Sequence, residues 1–305
     1  MNLNVHYTQC PVCGSPKISP VLTATDYTVS GEKFVIWECA VCSLRFTQDV
    51  PGTDTIGNYY QSEDYISHSN TSKGFINRLY QLVRKRTLKQ KRKLVCSVSG
   101  KKHGAILDVG SGTGSFVNEM KQHGWQVMGL EPDTRAREIA KNTFNSDLEN
   151  IDKLFRLPPG SYDAITLWHV LEHVHDLHPY IIQLKKLLNQ NGRIIIAVPN
   201  YTSFDASYYK EYWAAYDVPR HLYHFSPLAM QQLIERNEMK IIAHKPMWFD
   251  SFYVSLLSSK YKNAGRENGK GKTKWLIALW IGLRSNFKAL NNKKRCSSVI
   301  YVISK

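Results

Sequence analysis

The sequence predicts an α/β fold: a doubly wound, mostly parallel, seven-stranded Rossmann-like sheet, preceded by a small zinc ribbon. Two observations support this prediction. Short apolar segments alternate with segments of helical spacing over residues 105–200, which is typical of a parallel sheet covered by helices. Four cysteines form two C-x-x-C pairs within the first 42 residues, which is typical of a small metal-binding module. A chain of 305 residues with 43% apolar content can bury one large core and support such a module.

The ends of the chain give no indication of export or of a membrane span. The N-terminal segment MNLNVHYTQCPVC lacks the apolar h-region of a secretory signal. The longest apolar run near the C-terminus, residues 275–283, is far shorter than the ~20 residues that cross a bilayer. We therefore expect a cytoplasmic protein.

The net charge of +15 is concentrated in two parts of the sequence. Residues 71–104 contain eleven Lys or Arg and no acid, and residues 251–305 contain twelve against Glu267 alone. Basic patches of this kind suit a phosphate-bearing partner, whether a nucleotide, an anionic lipid or RNA. Solvated helix faces that keep the protein soluble explain the same charges equally well.

The paired cysteines predict a structural zinc site. Each C-x-x-C turn presents two thiolates, and two turns supply the four soft ligands of a closed tetrahedral site. Redox-active dithiols and disulfides are the alternatives, but a reducing cytoplasm disfavours stable disulfides. The predicted ligands are Cys10, Cys13, Cys39 and Cys42.

A glycine-rich loop after the first predicted strand indicates a nucleotide site. Residues 105–116 read AILDVGSGTGSF, and the glycines allow a sharp turn and a close approach to a ligand. A second strand ends at Glu131, 21 residues after Gly110, where an acid accepts hydrogen bonds from ribose hydroxyls. An adenosine ligand is therefore expected, although Ser115 departs from the dinucleotide pattern. The predicted binding residues of the loop are Asp108, Gly110, Ser111, Gly112 and Gly114.

Residues 169–173 read HVLEH, the H-x-x-E-H spacing of the inverted-zincin metalloprotease signature. The segment follows directly on an apolar strand predicted over residues 163–167, whose carboxyl end points into the nucleotide crevice. We therefore place His169 and Glu172 at the edge of a nucleotide site. For His169 and His173 we expect a packing role with a hydrogen bond on the cofactor side.

These motifs together carry a resemblance to a known family. ILDVGSGTG, the acid in GLEPD, YDAITLWHVLEHV and GRIIIAVPN occur in the order found in class I S-adenosylmethionine-dependent methyltransferases, and the likeness covers roughly residues 100–245. The resemblance implies S-adenosylmethionine as the cofactor, with Glu131 holding the ribose, Trp168 flanking the cofactor, and the segment at 147–148 near the adenine. It also implies that Asp108, Gly110, Gly112 and Gly114 frame the methionine end.

A second resemblance concerns the acceptor side. Residues 212–227, YWAAYDVPRHLYHFSP, are dense in aromatics and histidine. Together with the paired cysteines and residues 57–68, this segment resembles the sugar C-methyltransferases of deoxysugar pathways, which have an N-terminal zinc-binding domain and an H-E-H-like segment supplying the base. The resemblance places His221 at the base position, with His224 as a second candidate, but Arg220 stands where that family has glutamate. The core is also similar to ubiquinone-type O-methyltransferases.

The expected organisation has three parts. Residues 1–55 form the zinc ribbon, residues 56–103 form a helical linker that covers the active site, and residues 104–305 form the methyltransferase domain. A basic amphipathic helical insertion is expected at about 251–296. Its segment 275–288 is a candidate for peripheral membrane contact, with packing against the sheet as the alternative.

The expected activity is methyl transfer from S-adenosylmethionine to a small-molecule acceptor, with a histidine that removes the proton. The acceptor is a nucleotide-linked sugar or another glycan or lipid precursor, and a phosphate on it would suit the basic patches. An RNA methyltransferase that uses the zinc ribbon and basic patches is one alternative; the absence of an N/D-P-P-Y-type motif disfavours base methylation. A cofactor-binding module without turnover is the other alternative.

Overall fold

The computed structural model describes residues 4–60, 75–264 and 275–305, and the side chains of residues 75–82 are left aside. The predicted cover segment therefore lies partly outside the described residues, as do residues 265–274 of the predicted C-terminal insertion. The described chain forms two sheets: a mixed six-stranded sheet and a smaller antiparallel one.

The larger sheet has the predicted doubly wound, mostly parallel architecture, and the predicted fold class is confirmed. Its last strand in the sequence is antiparallel to both neighbours, whereas the other strands run parallel to one another. In spatial order the strands are β5 (Gln126–Leu130), β4 (Ala105–Val109), β6 (Tyr162–Trp168), β7 (Leu188–Pro199), β10 (Ser298–Ser304) and β9 (Lys240–Pro246).

Six strands, and not the expected seven, are formed in the part of the chain that the structure describes. The seventh position is marked by a single parallel bridge between Leu130 and Glu149 at the β5 edge. The extended segment stops there because the Asn150 side chain accepts a hydrogen bond from the amide of Asp152 and starts a 3-10 turn over Ile151–Arg156.

The dipeptide Asn191-Gly192, a common turn sequence, lies within β7. That strand begins at Leu188, and its pairing with β6 jumps from Tyr162–Leu188 to Ala164–Arg193. The turn residues therefore form an irregularity within the strand, and helix and strand join without a separate loop.

Helices cover both faces of the large sheet because successive apolar side chains of its strands point to opposite faces, so both faces must be buried. Ile106 and Ala164 point to the face that contains Phe116, whereas Leu107 points to the opposite face, which contains Leu184. The helices are α1 (Phe75–Ser99), α2 (Ser115–Gln122), α3 (Thr134–Phe144), α4 (Leu177–Leu187), α5 (Phe204–Tyr209), α6 (Pro227–Arg236), α7 (Asp250–Ala264) and α8 (Trp275–Asn291).

Several helices begin at polar residues that cap their first turn. The Asp133 carboxylate accepts a hydrogen bond from the amide of Ala136 at 2.6 Å, at the start of α3. Ser226 accepts one from Ala229 at 3.0 Å, and Pro227 occupies the first position of α6, where no amide hydrogen is needed. These local signals fix where the chain leaves the carboxyl edge of the sheet.

The smaller sheet joins the N-terminal segment to a distant part of the chain. Its antiparallel strands are, in order, β1 (Ile18–Thr25), β2 (Lys33–Cys39), β3 (Arg45–Thr47) and β8 (Tyr223–His224). Strand β8 belongs to the aromatic segment that precedes α6. The cysteine module is thus completed by the segment predicted to bind the acceptor, and the module boundary at residue 55 stays a prediction.

None of the described helices combines the length and apolar character that a membrane crossing requires.

Candidate active site and cysteine cluster

The glycine loop follows β4 and forms the floor of the candidate cofactor site. Gly110 adopts φ 71°, donates its amide hydrogen to the Leu130 carbonyl at 2.8 Å, and has no room for a Cβ, which would lie 2.3 Å from a methyl group of Val170. A Cβ on Gly112 would meet open space, so the loop leaves room for a ligand at this position. Gly114 caps α2 in a left-handed conformation.

The structure places Glu131, the residue predicted to hold the ribose, against this loop. Its Oε2 atom accepts a hydrogen bond from the amide of Gly112 at 2.7 Å, and Oε1 accepts one from the amide of Asp133 at 3.0 Å. Burial raises the pKa of Glu131. Each carboxylate oxygen has two lone pairs, so the group keeps acceptor capacity toward a bound hydroxyl.

Asp108 and Ser111 form hydrogen bonds that connect the start of the glycine loop to the sheet. The Thr166 hydroxyl donates to the Asp108 carboxylate at 2.6 Å, linking β6 to β4, and burial raises the pKa of Asp108 to about 6. The Ser111 hydroxyl donates to the Asp108 backbone carbonyl at 2.8 Å. The Ser111 side chain and its backbone amide, which donates to the Leu130 carbonyl at 2.9 Å, are therefore both engaged within the protein.

Trp168 ends β6 beside the cleft and is 9% exposed. Its ring packs edge-on against Phe116, with ring centroids 5.6 Å apart, and the Lys91 ammonium lies 4.3 Å from the ring centroid on the α1 side. Burial lowers the pKa of Lys91 to about 8, against the opposing effect of the Asp108 and Asp250 carboxylates. Helix α1 therefore places a cation next to Trp168.

Two cations of α1 point inward, so solvated helix faces do not explain all of the basic charge in residues 71–104. Besides Lys91, Arg84 donates a hydrogen bond to the Ser115 hydroxyl at 2.5 Å, at the start of α2. Arg84 and Lys91 alternate with Leu88 and Val95 at helical spacing; Val95 is buried in the core and Leu88 packs against it. That spacing was the available signal for an inward orientation.

The HVLEH segment forms a tight turn at the end of β6. His169 has φ 59°, which turns the chain at that point, and a 3-10 turn follows over Leu171–His173. Its Nε2 atom lies 2.9 Å from the Asp250 carboxylate, and Nδ1 lies 3.3 Å from Glu172. Although burial alone would lower it, these two carboxylates raise the pKa of His169 to about 10. His169 is therefore an imidazolium that bridges two acids at neutral pH.

Glu172 and two histidines converge behind this turn. Both carboxylate oxygens of Glu172 are buried and lack a hydrogen-bond partner of good geometry among the described residues. His173 Nδ1 lies 2.9 Å from the Arg220 carbonyl, and His221 Nδ1 lies 2.9 Å from the Ala215 carbonyl. Because a carbonyl only accepts, this pattern assigns the proton to Nδ1 of each ring and leaves Nε2 as an acceptor.

The two imidazole rings meet edge to face with centroids 4.6 Å apart. Burial, followed by the proximity of His221, lowers the pKa of His173 to about 4. Glu172, His173 and His221 each offer one ligand atom within 4.8 Å of the others, so this group has the donor set for a metal ion as well as for proton transfer.

The structure does not bring His224 to this group. Its Nε2 atom lies 3.1 Å from the Thr47 hydroxyl, and its ring packs edge-on against Tyr216 within the small sheet. Burial lowers the pKa of His224 well below the usual value. The predicted pair of histidines therefore divides: His221 lies beside Glu172, and His224 lies in the sheet of the cysteine module.

Arg220, the residue that departs from the sugar C-methyltransferase pattern, ties the N-terminal module to the histidine segment. Its side chain is fully buried and forms ion pairs with Asp26 at 2.8 Å and Asp217 at 2.7 Å. It also donates to the Tyr59 carbonyl at 2.8 Å. The sequence did not single out Asp26 or Asp217, because their pairing with Arg220 exists only in the folded chain.

The four cysteines of the N-terminal module form one cluster. Cys10 and Cys42 have sulfurs 3.4 Å apart, those of Cys13 and Cys39 are 3.5 Å apart, and all four sulfurs lie within 4.8 Å of one another without a disulfide. Zinc–sulfur bonds of about 2.3 Å in a tetrahedron place the sulfurs about 3.8 Å apart. The cluster therefore has the geometry and the ligands of a four-thiolate metal site.

Relatives of known sequence share part of the chain. An uncharacterized methyltransferase of Alkaliphilus oremlandii is 33% identical over 118 residues, which are 37% of this chain and 53% of that protein. An uncharacterized methyltransferase of Bacillus thuringiensis is 31% identical over 113 residues, which are 36% of this chain and 53% of that protein. The chain thus spans about half the length of the curated relatives it matches.

Two solved structures illustrate the structural likeness. A SAM-dependent methyltransferase from Archaeoglobus fulgidus has a TM-score of 0.46 and 17% identity, with 73% of this chain and 94% of that chain covered. Phosphoethanolamine N-methyltransferase 2 of Haemonchus contortus, in complex with S-adenosyl-L-methionine, has a TM-score of 0.47 and 16% identity, with 71% and 52% covered.

A family model described as "Methyltransferase domain" matches residues 80–244, more than half of the chain. The matched range includes the glycine loop, Glu131 and the histidine segment. It begins within α1, whose cations reach the loop, and ends in β9. The chain belongs to the methyltransferase-domain family, as its resemblance to S-adenosylmethionine-dependent methyltransferases predicted.

Proposed function

We propose that this protein transfers the methyl group of S-adenosylmethionine to a small-molecule acceptor, with His221 as the general base and with a structural zinc ion in the cysteine cluster. The main support is the contact between Glu131 and Gly112, because it places a buried carboxylate beside the glycine loop. When bound, the cofactor supplies an already activated methyl group, so the protein must orient two reactants and exclude water.

The cofactor half of the proposal rests on the chemistry of the cleft. Glu131 has free lone pairs for ribose hydroxyls, and Gly112 leaves open space where a backbone-to-ligand approach is needed. Arg84 and Lys91 bring positive charge to the same loop, which suits the carboxylate of a methionine moiety. Trp168 offers an aromatic face at the end of β6.

The base half rests on the protonation pattern of His221. Its Nδ1–H is held by the Ala215 carbonyl, so Nε2 can accept a proton from an acceptor hydroxyl or carbon acid. The imidazolium that results would be stabilised by the buried Glu172 carboxylate, which lies beside His221 and also 3.3 Å from His169. Glu172 is therefore a positioning residue that acts through the histidine.

A small acceptor is favoured by how closely the N-terminal module packs on this side of the sheet. Strand β8 begins two residues after His221 and pairs with β3. Arg220 is fixed by two carboxylates, of which one, Asp26, belongs to the module. The module thus borders the base, and zinc in the cysteine cluster would stabilise that wall. The acceptor proposed is a nucleotide-linked sugar or another glycan or lipid precursor.

Two measurements test the proposal separately. Titration calorimetry should show binding of S-adenosylmethionine to the zinc-loaded protein, and absence of binding would refute the cofactor assignment. Methyl-labelled cofactor incubated with fractionated small metabolites should then label one fraction, which identifies the acceptor.

The base is tested with His221→Gln and a matched control, His123→Gln, which changes an exposed histidine just after α2 at the opposite end of the sheet. His221→Gln should lower the transfer rate by about 10²- to 10⁴-fold while the affinity for the cofactor stays within about twofold. Equal losses of rate and affinity, or loss of neither, would contradict the assignment of the base.

A further inference from the structure

The hairpin of α7 and α8 exposes large apolar side chains in an unusual density. Leu283, Trp280 and Phe287 are 53%, 53% and 69% exposed, although each would ordinarily be buried. More than half of the large apolar side chains that the described residues expose lie on these two helices. We call the following six residues of α8 the apolar stripe. They are Leu276, Leu279, Trp280, Leu283, Phe287 and Leu290.

The stripe is continuous along one side of α8. At about 100° per residue its six members fall within an arc of roughly 100°, and at about 1.5 Å per residue they extend over roughly 21 Å. The arc includes no charged residue. Contiguous apolar surfaces of this kind mark interaction sites, unlike single exposed apolar residues.

The opposite side of α8 packs inward through small residues. Ala278, Gly282 and Ser285 are buried on α8, and Ser255 and Ser258 are buried on α7. The helices approach so closely that a Cβ on Gly282 would lie 2.7 Å from the ring of Phe252. Apart from the buried Ile281, α8 therefore directs small side chains to its internal contacts and most of its large apolar side chains outward, the reverse of an ordinary amphipathic helix of a soluble domain.

Hydrogen bonds hold the small-residue side in place, which fixes the stripe in its outward orientation. The Ser285 hydroxyl donates to the Asp205 carboxylate at 2.6 Å, and the Ser258 hydroxyl accepts from the amide of Ala214 at 2.8 Å. Turning α8 to bury its stripe would break these buried contacts. The exposed stripe is thus part of the stable fold.

The polar groups around the stripe are basic. The described residues of the hairpin and the turn after it, 250–264 and 275–295, contain seven Lys or Arg and one acid, Asp250. That acid is paired with His169, so it does not offset the basic charge. Arg284 flanks the stripe, with its guanidinium 5.2 Å from the ring centroid of Trp280.

We propose that this hairpin docks the protein on an anionic lipid bilayer, with the apolar stripe in the headgroup–acyl boundary and the basic residues against lipid phosphates. An apolar helix face bearing Trp, Phe and Leu with basic flanks matches that boundary in both polarity and charge. A second copy of the same surface would bring two basic rims together, which disfavours a symmetric dimer through it. Because no described helix is suited to span, the binding is peripheral.

Docking would place the bilayer next to the candidate active site. Asp250, the first residue of α7, lies 2.9 Å from His169 at the end of β6. The hairpin therefore reaches from the lipid-facing stripe to the cofactor cleft. This placement is independent of which acceptor is methylated.

Vesicle co-sedimentation of the full chain tests the proposal. The protein should bind phosphatidylcholine vesicles that contain about 30 mol% phosphatidylglycerol, and bind at least tenfold more weakly to pure phosphatidylcholine or at about 0.5 M salt. The double variant Leu283→Ser/Phe287→Ser should reduce partitioning to the anionic vesicles at least tenfold. The double variant Arg284→Gln/Lys288→Gln should reduce partitioning to the anionic vesicles by a larger factor at low salt than at high salt.

The matched control is Phe155→Ser/Ile182→Ser, which removes two apolar side chains of similar exposure, 56% and 55%, from another part of the surface. It should bind vesicles as the wild type does, and all variants should keep the wild-type unfolding temperature and cofactor affinity. Absence of binding to anionic vesicles, or equal losses in the stripe variant and the control, would overturn the proposal. The proposal would also be overturned if the wild type formed a concentration-dependent dimer that the stripe variant abolished, and did not bind vesicles.

Discussion

Replacing Glu131 with glutamine gives the sharpest test of the cofactor site. In the structure both carboxylate oxygens face amide donors, Gly112 at 2.7 Å and Asp133 at 3.0 Å. Glutamine keeps one acceptor oxygen and turns an NH₂ group toward a donor, so the variant loses acceptor capacity toward a ribose and disturbs the loop. A hydrogen bond to a charged group contributes about 1.5–3 kcal/mol, which predicts about 10- to 150-fold weaker cofactor binding.

Calorimetric titration of S-adenosylmethionine, well below the unfolding temperature of each variant, measures this loss. Glu149→Gln is the control, because Glu149 pairs with Lys153 at the surface and its backbone lies beside the same strand end. It should bind within about twofold of the wild type, since exposed pairs contribute little. A Glu131→Gln variant that binds as tightly as the wild type, or a control that loses as much, would refute the reasoning.

Three further predictions concern other parts of the fold. Burial lowers the pKa of Lys91 to about 8, so above that pH the unfolded chain binds more protons than the folded chain does. The free energy of unfolding should therefore rise by ~2 kcal/mol from pH 8 to about 10.5. Urea titrations should show this rise in the wild type and not in Lys91→Met. Elemental analysis should show that Cys39→Ser has lost bound zinc, and this variant should unfold at a lower temperature, whereas Cys96→Ser should retain the zinc. A metal ion that persisted in Cys39→Ser would point to the buried group of Glu172, His173 and His221 as its site. Arg220→Met should destabilise the fold by about 3–5 kcal/mol in urea because it leaves buried carboxylates unpaired, and a loss below about 1 kcal/mol would show those charges to be solvated.

Local sequence signals were sufficient for the cofactor side of the molecule. The apolar segments of the sequence predicted the central strands. The glycine loop and Glu131 belong to one strand–helix–strand unit, and the right-handed connection between its parallel strands brings them together. The short extended segment at the sheet edge beyond β5 was less predictable from the sequence, because the side-chain cap at Asn150 ends that segment after a single bridge to β5.

The acceptor side depended on contacts between distant segments. The sequence singled out His221 and His224 together, yet they lie on either side of a strand start, so one faces Glu172 and the other faces Thr47. No local pattern could separate them, since the separation follows from the pairing of β8 with β3 of the N-terminal module.

What the amino-acid sequence determined by itself is the class of the fold, the glycine loop with its acid, and the grouping of the paired cysteines, because each rests on spacing within a short segment. Only the tertiary structure decided that Arg84 contacts the loop and Lys91 contacts Trp168, that Asp26 and Asp217 pair with Arg220, and that α8 turns its apolar stripe outward. Charge pairing and burial are properties of groups that meet in space, and these groups are up to 194 residues apart along the chain.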